Sequence, residues 1–333
     1  MRRIYAPLIA IVLTLALGSA QAAAAEGVSA NDALVNDIAK SIQFGPLSAA
    51  SVATDESDEP IFADECVQTT SLFAPDPAAT GGEQWQLLPR GLIYRPYLAG
   101  VKESRMAGVW NYDNGNGRIW DITLGGQAPL VRYGVPGNGR PEGIQISIEG
   151  AGQVRLDRDE NCDVEATDYR FGVPITWGNA VHQNKLAIYH LSSHLGDEFL
   201  LKHPGFPRLN YSENVLVYGH SVNPADDWRV YGEVGYGFDV EIAEPWEFQF
   251  GVEWAPSTWT GFRGAPFFAV NSYLREEVAF GGNFVAQTGW AWRRDPASGM
   301  FRVGLQYYNG KNEQFSLFND SEQKFGFGIW YDF

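Results

Sequence analysis

After its first twenty-odd residues, the sequence lacks any run of 18 consecutive apolar residues, so no helix of the remainder can cross a membrane. Methionine is scarce, at 3, and cysteine numbers only 2. Positive charge is also short: 24 lysines and arginines face 40 aspartates and glutamates, a net charge of −16 at pH 7. That deficit argues against nucleic acid, or anionic lipid, as a partner held by bulk electrostatics. Cys66 and Cys162 are too few for a disulfide scaffold. In an exported chain pairing is the default. The topology expected below puts them on opposite sides of a membrane unless the N-terminal segment enters the barrel, so the disulfide stays open.

What is abundant is aromatic and glycine: 14% aromatics, 11 tryptophans and 37 glycines, a composition of strands and tight turns. The stretch Phe325 to Phe333, F-G-F-G-I-W-Y-D-F, places Phe325, Phe327, Ile329, Tyr331 and Phe333 at every second position. Period-two alternation means that one face of a strand meets an apolar medium along its length. A strand ending on a bare aromatic is common in outer-membrane barrels, whose assembly machinery recognises it. The expected fold is therefore all-β: a transmembrane antiparallel β-barrel with a flexible N-terminal extension. Mean hydropathy of −0.22 agrees, since barrel strands are apolar on one side only.

Arg2 and Arg3, an apolar core Ile4 to Leu17 and Ala20-Gln21-Ala22 form a secretory signal over 1–22, with a second possible cut after Ala25. Residues 23–85, rich in Ala, Ser, Asp, Glu and Pro, read as a flexible periplasmic extension, with one short amphipathic helix over 31–42. Residues 86–103 form a lead-in expected to dock at the periplasmic mouth. The barrel takes 104–333. Twelve strands are expected near 104–111, 117–132, 143–157, 164–176, 181–193, 211–222, 227–239, 245–255, 265–275, 283–294, 300–309 and 324–333.

Alternation is clearest where Ile144, Ile146 and Ile148 oppose Gln145, Ser147 and Glu149, and where Trp246, Phe248 and Phe250 oppose Glu247 and Gln249. The inward set mixes glycines such as Gly235 and Gly304 with Arg229, Glu233, Glu247, Glu253 and Arg302. Such a lumen is either salt-bridged shut or narrowly wet. With the C-terminus in the periplasm, 223–227 and 294–299 become short periplasmic turns, while 196–209 and 309–324 become external loops. The link 255–264 is too long for a periplasmic turn and fits neither class. The location this implies is the outer membrane of a Gram-negative-type bacterium, with outer-membrane lipid and the assembly machinery as partners and no nucleic acid.

One stretch has the makings of chemistry, Tyr189 to Glu198 (Y-H-L-S-S-H-L-G-D-E) at the outer end of a strand. His190 and Ser192 share a face about 6.6 Å apart along the strand, a base and a nucleophile. Asn210, Glu213 or Asn214, on the segment that follows, could orient the histidine. Side-chain parity does not tell whether the pair faces lipid or lumen. The alternative is a set of ordinary polar rim residues. His190 and His194 start about 13 Å apart on a strand, too far for a zinc pair. Asp197 and Glu198 are a candidate divalent-cation site or a solvated acidic turn.

H-x-S followed by a Pro-containing loop and an Asn resembles the outer-membrane phospholipase A family and the lipid A deacylases. That resemblance implies His190 as base, Ser192 as nucleophile and Asn210 as orienter, with calcium as a cofactor if the chain hydrolyses lipid; Ser193 stands where both families carry Asn. A broader resemblance rests on Y-H-L-S-S-H-L-G-D-E-F-L-L, Y-G-E-V-G-Y, E-P-W-E-F-Q-F-G, G-F-R-G-A-P-F, L-R-E-E-V-A-F-G-G-N-F and G-F-G-I-W-Y-D-F. These stretches are similar to an exported bacterial family known only as domain of unknown function 1207, which implies architecture and no activity. The functional expectation is a barrel without assigned activity, a narrow pore or a binding platform, with outer-leaflet lipid-ester hydrolysis as the alternative.

Overall fold

A computed structural model of the chain describes residues 82–333 apart from 138 and 241. The signal, the helix expected over 31–42, most of the extension and Cys66 lie outside the described residues. Cys162 has no disulfide partner among the described residues and sits in a turn in the left-handed region, φ 67°.

Twelve antiparallel strands close on themselves. They are β2 (Met106–Asp113), β3 (Gly117–Gly134), β4 (Gly143–Asp157), β5 (Asp163–Gly178), β6 (His182–Leu195) and β7 (Tyr211–Ala225). The second half is β8 (Trp228–Val240), β9 (Trp246–Trp254), β10 (Ala265–Arg275), β11 (Gly282–Arg293), β12 (Met300–Lys311) and β13 (Ser321–Asp332). Each pairs with its sequence neighbours, and β13 returns to β2 with Phe327 opposite Trp110. A four-residue strand, β1 (Gln84–Leu87), adds to the overhanging end of β3 outside the ring. Between β6 and β7 lies one short helix, α1 (Asp197–Lys202).

The wall is inside-out relative to a water-soluble domain. Along β9, Trp246, Phe248 and Phe250 are exposed while Glu247, Gln249 and Glu253 are buried. β13 repeats the pattern, with Phe325 and Phe327 outside and Lys324 and Asp332 inside. Arg155, Arg302 and Lys324 are each 0% exposed. Alternation with period two produces this directly, since successive side chains leave opposite faces of the pleat.

The lead-in does not stop at the mouth. Residues 88–105 run into the lumen, where Tyr97 and Ala99 are fully buried. Polar side chains of the wall hold the segment by its backbone: Arg132 donates to Gly91 O (2.6 Å), Arg229 to Arg95 O (2.9 Å) and Arg302 to Leu98 O (3.1 Å). Leu98 N donates to Glu253 (2.7 Å), and Tyr97 Oη donates to Glu233 (2.7 Å). Gly219 makes room for the plug, because a Cβ there would meet Tyr94 Oη at 2.9 Å and Tyr97 Oη at 3.1 Å. The segment reaches Asp168 with the Lys102 amine, then returns to pair Arg105 with Asp332 (3.1 Å) and enters β2. A buried backbone needs such partners, and an inward-facing polar wall supplies them.

From the opposite end, the link 312–320 folds inward. Its residues Asn312 to Phe318 are all buried, so most of the expected external loop 309–324 does not reach outward. Phe315 N donates to Asp168 (3.1 Å) and Ser316 N to Ser193 Oγ (2.7 Å). Lys102 lies 5.0 Å over the Phe315 ring, so plug and loop meet at Asp168. The space left beside Lys102 is about 30 Å³, room for roughly one water.

The unaccounted link 255–264 lies at the C-terminal end of the barrel and folds against β11. Trp290 Nε1 donates to Arg263 O (2.7 Å) and Trp292 Nε1 to Phe262 O (3.0 Å). Its own Trp259 and Phe262 remain exposed.

Candidate functional site

On β6 the odd positions Gln183, Lys185, Ala187, Tyr189 and Leu191 are buried. Lys185 pairs with Glu233 inside the lumen. The even positions Leu186, Ile188, His190 and His194 therefore leave from the outer wall, and Ser192 shares their parity. The pair that the sequence could not orient thus lies on the outer face, near the end of the barrel opposite the C-terminus.

β7 completes the arrangement. His190 stands directly opposite Asn214, and its Nδ1 lies 3.0 Å from Asn214 Oδ1. Asn214 Nδ2 donates in turn to Asp239 Oδ2 (3.0 Å) on β8. The carboxylate can only accept, so it turns the amide with Nδ2 toward itself and Oδ1 toward the imidazole. An amide oxygen also only accepts, so His190 Nδ1 carries the proton in the neutral ring and Nε2 carries the lone pair. That Nε2 is buried and has no hydrogen-bond partner. Ser192, 6% exposed, lies two residues on along the same face. No hydrogen bond joins its hydroxyl to the ring in this state.

Asp239 reaches Asn214 because the β7–β8 ladder slips. Val215 pairs with Gly237 and Asn214 with Asp239, leaving Phe238 as an extra residue. A bulge of this kind re-aims side chains at the expense of one ladder step. The acid was not legible beforehand, since regular pairing would have put Phe238 opposite Asn214.

The other sequence candidates separate. Glu213 points into the lumen and is 4% exposed, on the opposite side of the wall from His190, which removes it as an orienting partner. Asn210 lies in the loop ahead of β7, and Asn214 holds the Nδ1 position instead. Asp197 and Glu198 are exposed in the first turn of α1. Among the described residues no group of three or more histidine, cysteine or carboxylate side chains is gathered to hold a metal ion. His194 is exposed, its ring 6.0 Å from that of Tyr169.

The model of a family described as a protein of unknown function (DUF1207) matches residues 41–333. The chain belongs to this family. DUF1207 carries no assigned activity, and no curated protein matches the chain. Among solved structures it is similar to the KdgM porin, at 8% identity and a TM-score of 0.41, covering 68% of this chain and 98% of the porin. It is also similar to outer membrane phospholipase A from Escherichia coli, at 12% identity and a TM-score of 0.46, covering 71% and 92%. At such identities the likeness concerns the course of the strands, and the DUF1207 site has to be read from its own residues.

Proposed function

We propose that the protein is an outer-membrane barrel whose lumen is closed, a platform rather than a pore. The observation that carries this reading is the combination of an apolar outer wall with a charged lumen filled by residues 88–105 and 312–320. Large apolar side chains exposed around the outer wall, among them Trp110, Leu124, Ile148, Phe171, Phe250 and Phe325, would be costly in water, whereas in lipid they match their solvent. The Asp332 end of β13 then lies on the periplasmic side. The His190 end faces outward. Native protein should fractionate with the outer membrane and migrate in a heat-dependent manner in mild detergent. In planar bilayers it should show no discrete conductance, and replacing 93–103 by Gly-Ser linker should create one. Steady conductance from the unaltered chain would sink the closed-lumen reading.

A second reading is favoured by the Asp239–Asn214–His190 relay. At the outer-leaflet boundary it would let His190 Nε2 take the Ser192 proton for attack on a lipid ester, after a rotamer change brings the hydroxyl to the ring. Calcium would need a ligand set that the described residues do not gather around His190 and Ser192, so the proton transfer is assigned to the relay alone. Purified protein incubated with phospholipid or lipid A, with and without calcium, should release fatty acid, and Ser192→Ala should not. Release that persists in Ser192→Ala would assign the activity to a contaminant.

A further inference from the structure

The C-terminal mouth of the lumen holds more buried cations than anions. Arg95 on the plug, Arg229 on β8 and Arg293 at the end of β11 line one small cavity there together with Asp226, Asp227 and Phe333. Nearly every acid in reach is committed. Glu253 pairs with Arg229 (3.5 Å) and accepts from Leu98 N, while Asp332 holds Arg105 (3.1 Å) and Arg302 (2.7 Å). Asp227 Oδ1 accepts from Ser257 N (2.9 Å), and Asp295 pairs with Arg90 (3.0 Å). Asp226 lies with Arg140, which also donates to its backbone oxygen (2.7 Å).

Arg95, which is half-buried, and Arg293, which is buried, are left over, and neither makes a salt bridge with a described residue. Arg293 is 5% exposed, and its buried Nε has no hydrogen-bond partner. Burial, followed by the repulsion of Arg293, Arg229 and Arg140, holds Arg95 well below the usual arginine range. A buried unpaired guanidinium is costly, and arginine does not escape the cost by losing its proton as a lysine would. The favourable resolution is a bound anion.

The surroundings say which kind. Arg293 also borders an open groove of about 760 Å³ on the rim, whose apolar lining includes Trp259, Trp292, Phe301, Tyr331 and Phe333. Planar guanidinium forks match phosphate oxygens, and an aromatic groove of this size matches an acyl chain. We propose that Arg95 and Arg293 bind the phosphate of an anionic phospholipid whose acyl chain lies in the adjoining groove. The lipid source rests on the membrane reading above. This is a local site and runs against the net charge of −16, which excludes only attraction by the whole molecule.

The test uses the full chain in non-ionic detergent and phosphate-free buffer. Its probes are dihexanoylphosphatidylglycerol, the same-chain diacylglycerol without phosphate, and inorganic phosphate. Binding is read by tryptophan fluorescence and thermal unfolding. Phosphatidylglycerol should bind at least tenfold more tightly than either other probe, and Arg95→Gln and Arg293→Gln should each lose tenfold or more. Without any anion, both variants should melt at or above the parent, because each removes a charge that no acid pairs. Inorganic phosphate binding as tightly as the lipid would overturn the lipid occupant. Diacylglycerol binding as tightly, undiminished lipid affinity in the variants, or variants that melt well below the parent would overturn the arginine site itself. Failure of the membrane reading would show separately, as native protein in the soluble fraction.

Discussion

The two ends of the lumen carry opposite imbalances. At the end away from the C-terminus, Asp121, Glu313 and Glu322 surround Arg155 and Lys324, three acids to two cations. At the C-terminal mouth the surplus is Arg95 and Arg293. The acid-rich end can balance itself with a proton: burial, and then the neighbouring Asp121 carboxylate, push Glu313 up to about 7. The cation-rich end has no such outlet, since guanidinium keeps its proton at any working pH, and it needs an anion from outside. One buried surface is thus self-sufficient at one end and ligand-demanding at the other, depending only on which sign is in excess.

The largest effect is expected from Arg155→Met. It leaves two buried acids and the half-buried Asp121 with one cation, and removing one partner of a buried network costs about 3–5 kcal/mol. Urea unfolding should register a loss of that order, whereas Arg293→Gln at the other mouth should lose nothing. Next comes the outer side of the wall, where lipid offers no counter-ion. Leu305→Arg, exposed on β12 between the buried Gly304 and Gln306, should cost about 2–4 kcal/mol in refolding into lipid bilayers. A cost near zero would mean that this face does not meet hydrocarbon.

Glu313→Gln sharpens the comparison through pH. A carboxyl whose folded pKa lies above its unfolded value holds more protons in the folded state across that interval. Its contribution therefore favours folding at the acid end and is lost as pH rises from the ordinary 4.5 to about 7. Subtracting the variant's stability from the parent's, measured from about pH 5 to about pH 8, should leave a difference that falls with pH. A flat difference would place the proton elsewhere. The smallest effect on stability belongs to Asn214→Ala, about 0.5–1.5 kcal/mol for one hydrogen-bond position on the wall. If fatty acid is released at all, the same change should reduce it far more than it reduces stability, because it frees the His190 tautomer.

Much of the barrel was legible residue by residue. The strands expected at 143–157 and 265–275 occur with those bounds, and the final strand differs by only a few residues at its start, Ser321 in place of 324. Inward Arg229, Glu247, Glu253 and Arg302 were read correctly because period two makes facing a local property. Parity on β6 was undecidable for the opposite reason. Ala187, Tyr189 and Leu191 are as apolar as Leu186 and Ile188, so either row could have met lipid. What settled it was Lys185, whose partner Glu233 lies on β8, far away in sequence.

How many times the chain crosses the wall and, on most strands, which side chains face each way are written in the sequence, since both follow from alternation within a few residues. Who meets whom is settled by tertiary contacts. The bulge that puts Asp239 on Asn214, the path of residues 88–105 into the lumen and the stranding of Arg95 beside Arg293 all depend on register and on chain path between distant segments. A hydrophobic pattern specifies the solvent each side chain faces. The particular partner it finds is selected by long-range geometry, where one extra residue in a strand moves every neighbour across to a new one.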